Sequence, residues 1–372
     1  MRREIFPPFN EVTVMAKFRR IGVLTSGGDA PGMNAAIAAI TLHALDENIE
    51  VVGINEGYTG LINGNITVLD RKKVAGIWKK GGTILGSSRC PEFKTEEGMK
   101  RAIETCKEHH IDAIIAIGGD GTFRGATDMS RLGFPAVGIP GSIDNDITAS
   151  DYTIGLDTAT NTTIEMIDKL CDTCDSHSRC NVVEVMGREC GQIALLAGIA
   201  TGAIAVAIPE VPFDEDAMLE RIREARQNGK RGMIVVVSEG MDPVGGVSFG
   251  EHLAHRINTE AEVETRFARF AHVVRGGDPT LHDRLAGAQM GVMAVDLLLA
   301  GKSDLVMCEI DGKTTPVDIN FALISDRMYK NKLKPGDLYA FTPEQLEDMK
   351  ALVEKRKKEI ADYNRIANIV AK

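Results

Sequence analysis

Eight short apolar runs, rich in β-branched residues, recur along the chain at 21–24, 51–54, 113–117, 136–139, 182–185, 203–208, 233–237 and 305–310. Most are apolar without alternation, the pattern of strands covered on both faces. Amphipathic stretches lie between them, at 33–45, 96–109, 158–171 and 215–227. Buried strands alternating with helices predict an α/β protein with mostly parallel sheets. At 372 residues the chain is long enough for about two domains. No repeat or low-complexity tether separates them, so the two are expected to interleave.

The ends of the chain read differently. Residues 1–17 carry charges and two prolines but no apolar signal segment, and form an expected N-terminal appendage. Thr342-Pro343-Glu344-Gln345 is a capping-box start with Pro at the first helical position. A stripe of Leu346, Met349, Val353, Ile360, Tyr363 and Val370 follows, interrupted by charges at 356–358. This predicts a long terminal helix packed on its own chain. Residues 191–208 approach the length of a membrane span. Gln192, Thr201 and three glycines interrupt that stretch and Pro209 and Glu210 end it, so a buried helix followed by a buried strand is expected.

Composition narrows the function. Lys plus Arg number 43 against 53 Asp plus Glu, a formal charge of −10. Such a chain is a poor general binder of nucleic acid or anionic membrane, and an anionic substrate would need locally concentrated cations. Glycine is abundant at 38 residues, while Tyr and Trp number 5 and 1; this suits tight strand-to-helix turns rather than base stacking. Seven cysteines and no secretory signal read as reduced thiols of a cytoplasmic protein. Cys171 and Cys174 form a CxxC near His177, Cys180 and Cys190, but the spacing is not that of a zinc ribbon, and packing is the expectation. His252 and His255 are expected on a helix surface rather than on a metal.

Three Gly-rich turns carry the chemistry. The first strand runs into Thr25-Ser-Gly-Gly-Asp-Ala-Pro-Gly32 and then a helix, which leaves free backbone N–H groups for an anion. The strand at 113–117 runs into Gly118-Gly-Asp-Gly-Thr122, where Asp120 among bare N–H groups suggests Mg²⁺ beside a nucleotide. The strand at 136–139 runs into Pro140-Gly-Ser-Ile-Asp-Asn-Asp146. There one carboxylate of Asp144 and Asp146 can accept a substrate proton while the other attends a metal. Cations follow: Arg179, Arg188 just after a strand, and Arg266, His272 and Arg275 within ten residues. Arginine binds phosphate bidentately and neighbouring glycines admit close approach. Glu239, at a strand end, could bind sugar hydroxyls.

With these motifs in place the chain resembles the 6-phosphofructokinases of the bacterial ATP-dependent type. TSGGDAPGMNAAI, GGDGT, PGSIDND, VEVMGR and RGGDP occur in the family's order and spacing from about residue 17 to about 333. The resemblance implies two interleaved Rossmann-like three-layer α/β domains with the active site in the cleft between them. It implies an ATP-binding domain at 18–154 plus 273–324, a sugar-phosphate domain at 155–272 plus 325–339, and a terminal helix at 340–372. Gly28, Arg89, Cys90, Gly119, Asp120, Gly121 and Thr122 would line the ATP site, with Asp120 handling Mg²⁺. Asp144 would be the base, and Ser142, which stands for the usual Thr, would act with Arg188 on the transferring phosphoryl group. Ser142, Ile143, Met186, Gly187, Glu239, Val273 and Val274 would contact fructose 6-phosphate. Arg179, Arg266, His272 and Arg275 would bind its phosphate. Arg179 and Arg266 would come from a neighbouring subunit, implying a homo-oligomer, expected to be a tetramer.

The rival donor is pyrophosphate. Enzymes of that kind typically carry Asp and Lys at the positions of Gly121 and Gly141; glycine at both leaves room for a nucleotide. An NAD-kinase-like reading would not explain PGSIDND or VEVMGR. A non-catalytic sugar-phosphate sensor would not require both Asp120 and Asp144.

Overall fold

The computed structural model describes residues 18–371. The expected appendage at 1–17 lies outside them. Eleven strands are present among the described residues: β1 (Arg20–Ser26), β2 (Glu50–Ile54), β3 (Ile66–Leu69), β4 (Ala113–Gly118), β5 (Ala136–Pro140), β6 (Cys180–Val185), β7 (Ala205–Ala207), β8 (Met233–Ser238), β9 (Thr265–Arg269), β10 (Leu305–Ile310) and β11 (Lys313–Asp318). The helices are α1 (Met33–Asp46), α2 (Gly57–Asn63), α3 (Glu96–Glu108), α4 (Asp120–Arg131), α5 (Leu156–His177), α6 (Gln192–Ala200), α7 (Glu215–Gln227), α8 (Phe249–Glu260), α9 (Leu281–Leu299), α10 (Ile319–Tyr329) and α11 (Pro343–Val370). The described residues divide into two compact units, 18–155 with 277–353, and 156–276 with 354–371. The units alternate along the sequence, as interleaved domains do. Residues 325–339 fall in the first unit and 273–276 in the second, unlike the boundaries expected from the sequence. The reason for the former is local: α10 packs on α4, β10 and β11, and Met328 and Leu338 pack against the first unit's core.

The first unit holds a seven-stranded sheet in the order β11-β10-β5-β4-β1-β2-β3. Its centre is parallel, and β3 and β11 join antiparallel at the two edges. β1, β4 and β5 are almost wholly buried, which accounts for their unalternating sequences. Helices α1 and α9 lie against each other through small residues. A Cβ on Gly287 would sit 2.8 Å from the Gly32 carbonyl oxygen, and one on Gly291 2.9 Å from that of Ala36. No other residue fits that approach without moving a helix backbone.

The second unit holds four parallel strands in the order β7-β8-β6-β9. Its core of Val182, Val235, Val237, Leu253 and Ile257 is closed by α7 and α8. The boundary between units falls within α11. Its first part buries Met349 in the core of the first unit. In its second part Arg356, among the charges that interrupt the apolar stripe, is itself only 6% exposed. Residues 191–208 form α6 and β7, the expected helix and strand. No helix among the described residues is long and apolar enough to cross a membrane.

Candidate functional site

Strand register brings the three Gly-rich turns together. Ser26 of β1 pairs with Gly118 of β4, which pairs with Pro140 of β5, so all three turns leave the sheet side by side at its carboxyl edge. The chain proceeds from β1 to β2 in one direction and from β4 to β5 in the other. That reversal opens a crevice at the strand ends, where open α/β sheets bind ligands. The turns are also tied to each other. Thr122 Oγ1 donates to the Ser26 carbonyl at 3.0 Å, and Gly118 has no room for a side chain between them.

Around the first two turns stand Gly28, Gly119, Asp120, Gly121 and Thr122. Gly28 and Gly121 are exposed, whereas Thr122 is buried and engaged in holding the turns. Arg89 and Cys90 follow a loop fastened to the β1 turn. Thr25 Oγ1 donates to the Gly86 carbonyl at 2.7 Å, and Ser87 donates to the carbonyl of Gly27. Arg89 is exposed, while Cys90 packs partly on the core. Asp120 opens α4, where the helix dipole favours an anion. One carboxylate oxygen pairs with Arg124 at 2.8 Å. The other, Oδ1, is buried with no hydrogen-bond partner, an acceptor that suits a divalent cation.

The third turn is held from several sides. Ser142 N–H donates to Ile154 O at 3.1 Å, and Thr153 Oγ1 donates to Ser142 O at 2.5 Å. Ser142 Oγ donates to Asp146 Oδ1 at 3.0 Å and accepts from the Asp144 N–H at 3.3 Å. Asp144 is half-buried. Ile143 is fully buried, so its side chain serves the core and only its backbone is offered to a ligand. Lys330 reaches Asp146 from 184 positions away, a contact that sequence reading missed. Its one local signal was the acid–base spacing of Asp326 and Lys330, four residues apart on one helix face.

In the second unit the expected sugar-phosphate residues fall into two groups. Met186, Gly187 and Arg188 leave β6, and Glu239 leaves β8, at register-matched positions. Glu239 N–H donates to Val185 O at 2.8 Å and Ser238 Oγ to Gly187 O at 2.5 Å. Gly187 has φ +134°, and a Cβ there would meet Cys190 O at 2.3 Å, so the turn requires glycine. Arg188 and Glu239 are exposed. His272, Val273, Val274 and Arg275 form a single turn just beyond β9, at the same strand ends. His272 and Val273 are exposed; Val274 is buried, and its side chain belongs to the core. The second group is Arg179, just before β6, and Arg266, near the start of β9. Both pair with Glu264, at 2.9 and 2.7 Å. They sit at the amino ends of the strands, opposite the first group.

Other candidates resolve as packing. Cys174 and Cys180 are buried, Asn181 Nδ2 donates to Cys174 Sγ at 2.9 Å, and burial pushes both thiols above their usual range. Among the described residues no His, Cys, Asp and Glu cluster could hold a metal ion. His252 pairs with Glu215 at 2.9 Å on the helix surface. A cavity of about 240 Å³ in the second unit, lined by Val206, Phe213, Arg221 and Asn364 among others, contains none of the expected site residues.

The sequence profile of the phosphofructokinase family matches residues 20–298. An ATP-dependent 6-phosphofructokinase 1 of Clostridium perfringens is 48% identical over 315 residues, covering 85% of this chain and 97% of that protein. An ATP-dependent 6-phosphofructokinase of Bacillus pumilus is 50% identical over 284 residues, covering 76% and 87%. Phosphofructokinase from Saccharomyces cerevisiae superposes with a TM-score of 0.79 at 31% identity; 91% of this chain spans half, 50%, of that one. A pyrophosphate-dependent phosphofructokinase from Marinobacter aquaeolei superposes with a TM-score of 0.72 at 19% identity, covering 90% and 92%, a likeness of fold.

Proposed function

The chain belongs to the phosphofructokinase family, and from that premise we propose that it transfers the γ-phosphoryl group of ATP to the 1-hydroxyl of fructose 6-phosphate. The products are ADP and fructose 1,6-bisphosphate. The observation that carries the reading is the alignment of three Gly-rich turns on one strand edge, with Asp120 and Asp144 in adjacent turns. Backbone N–H groups and helix N-termini there suit the phosphates of a nucleotide.

In this reading Asp144 takes the proton of the 1-hydroxyl as its oxygen attacks the γ-phosphorus, and ADP leaves from the opposite side. Ser142 and Arg188 donate to the oxygens of the transferring group, where negative charge is held. Gly28, Arg89, Cys90 and the Gly119–Thr122 turn cradle ATP. Met186, Gly187 and Glu239 hold the sugar. Arg179, Arg266, His272 and Arg275 neutralise its 6-phosphate, and Ile143, Val273 and Val274 contribute backbone. Asp120 would hold Mg²⁺, which when bound neutralises phosphate oxygens and lowers the charge barrier to attack. The enzyme is assigned to the cytoplasm as a homo-oligomer. The test is a coupled assay of the purified protein on fructose 6-phosphate with ATP and, separately, pyrophosphate. ATP-dependent turnover is expected; turnover on pyrophosphate exceeding that on ATP would overturn the donor, and no turnover on either would overturn the reaction.

A further inference from the structure

Lys330 follows α10 and is 13% exposed at its side chain. Its ammonium meets three acceptors: Asp146 Oδ2 at 3.1 Å, Asp146 O at 3.3 Å and Asp326 Oδ2 at 2.9 Å. Asp326, 3% exposed, uses its other oxygen to accept from Thr148 N–H at 2.8 Å and Thr148 Oγ1 at 2.6 Å. Asp326 and Lys330, one turn apart, thus clamp residues 146–148. The clamp reaches further. Asp146 turns its second oxygen to the Ser142 hydroxyl, and that hydroxyl accepts the Asp144 N–H. The Ser142 oxygen is thereby placed between Asp146 and the Asp144 N–H, and with it the peptide bearing the Asp144 carboxylate.

We propose that Lys330 is a positioning residue for phosphoryl transfer, holding Asp146 and, through it, the Ser142 hydroxyl and the Asp144 backbone. The inference rests on the reaction assigned above. Two carboxylates face the largely buried ammonium, Asp146 at 3.1 Å and Asp326 at 2.9 Å. Asp326, pushed up by burial, is drawn back by Lys330. Without the cation two carboxylates would face each other, and Asp146 would have no reason to keep its orientation toward Ser142.

The test compares Lys330→Met, Lys330→Arg and the double variant Asp326→Asn with Lys330→Met, which removes the buried pair together. Positioning predicts that both variants lacking the ammonium lower kcat about 10–100-fold with KM for ATP and fructose 6-phosphate changed less than threefold. Lys330→Arg should recover at least a third of wild-type kcat. In an Asp146→Asn background, Lys330→Met should cost no further kcat. Hydrogen exchange gives a readout independent of turnover: the Asp144 amide should exchange at least tenfold faster in the double variant. If the wild-type protein does not phosphorylate fructose 6-phosphate, the assigned reaction falls while the exchange experiment still decides whether Lys330 fixes the turn. A double variant with wild-type thermal stability and kcat within threefold of wild type overturns the proposal. So does a failure of every variant lacking the ammonium to fold, which would make Lys330 a structural cation only.

Discussion

At the scale of the residue, the sequence marked acids set among glycines at strand ends, and the structure places Asp120 and Asp144 in adjacent turns, where the proposed reaction gives them a use. Asp144 is the sharpest case. Asp144→Asn should leave fructose 6-phosphate binding nearly intact and lower kcat by about 10²–10⁴-fold, the usual loss of a general base. Near-wild-type turnover in a steady-state assay would remove Asp144 from that role. The donor argument rested on two glycines, and the structure separates them. A Cβ on Gly141 would meet Met33 Cε at 2.7 Å, the mobile end of a flexible side chain, so packing bears on that glycine. A Cβ on Gly121 meets nothing within 4 Å, and packing does not explain it. Gly121→Asp should therefore leave the thermal midpoint unchanged or slightly raised, since glycine also costs entropy in the unfolded chain. It should lower kcat/KM for ATP at least tenfold, through bulk and repulsion of the phosphates. Equal use of ATP by variant and wild type would show that Gly121 does not mark the donor. Lys330 was illegible for the opposite reason: its meaning lies in a carboxylate 184 residues away, and neither periodicity nor a local motif connects the two.

At the scale of the element, runs buried on both faces declared themselves and the more polar edge strands did not. β9, Thr-Arg-Phe-Ala-Arg, is half polar because it is an edge strand. β11 carries Pro316, which a sheet tolerates at an edge. The helix α11 was foreseen, but not the part played by its charged interruption. Arg356 donates to Gln192 Oε1 at 3.0 Å and Glu359 Oε2 at 3.1 Å. Gln192 opens α6, directly after the turn that carries Met186, Gly187 and Arg188. Glu210 braces the same place, accepting from Gly191 N–H at 2.8 Å. Burial raises the Glu210 carboxyl above the usual range, against the pull of the Gly191 N–H and of Arg356. The sign of the pH effect follows. Where the folded pKa is raised, the folded state holds the proton more tightly, so stability falls as pH rises from the ordinary carboxylate value through the raised one. Removing Arg356 raises that pKa further and deepens the fall. Arg356→Met should thus cost about 1.5–3 kcal/mol in lost charge-assisted hydrogen bonds, with a larger drop in thermal midpoint at pH 7.5 than at pH 5. Thermal melts at both values check it; an equal or larger drop at pH 5 would exclude Glu210 as the group that Arg356 supports.

At the scale of the whole molecule, the two groups of cations in the second unit argue for shared sites. Glu239 and the 186–188 turn leave the carboxyl ends of β8 and β6, and His272 and Arg275 stand at the same edge. Arg179 and Arg266 stand at the amino ends of β6 and β9. β6 is six residues long, and at ~3.3 Å rise per residue the two groups are separated by roughly 15–20 Å along the strands. One 6-phosphate cannot touch both groups of a single chain, since direct ion-pair contacts lie within about 4 Å. If all four cations bind one substrate, Arg179 and Arg266 must come from a second copy. Within the chain they are paired with Glu264, whose carboxyl they hold below its usual range, Arg179 most strongly. A phosphate would compete with that single carboxylate for two guanidinium groups. Subunits carrying Arg266→Ala should be weak in fructose 6-phosphate binding, and those carrying Asp144→Asn should lack the base. Mixed after joint refolding, the two should form some sites with an intact Arg266 from one subunit and an intact Asp144 from the other. Activity above the sum of the separate variants is the expected result. Mixed oligomers demonstrated by mass, with no gain in activity, would place Arg266 in its own chain's site or in none.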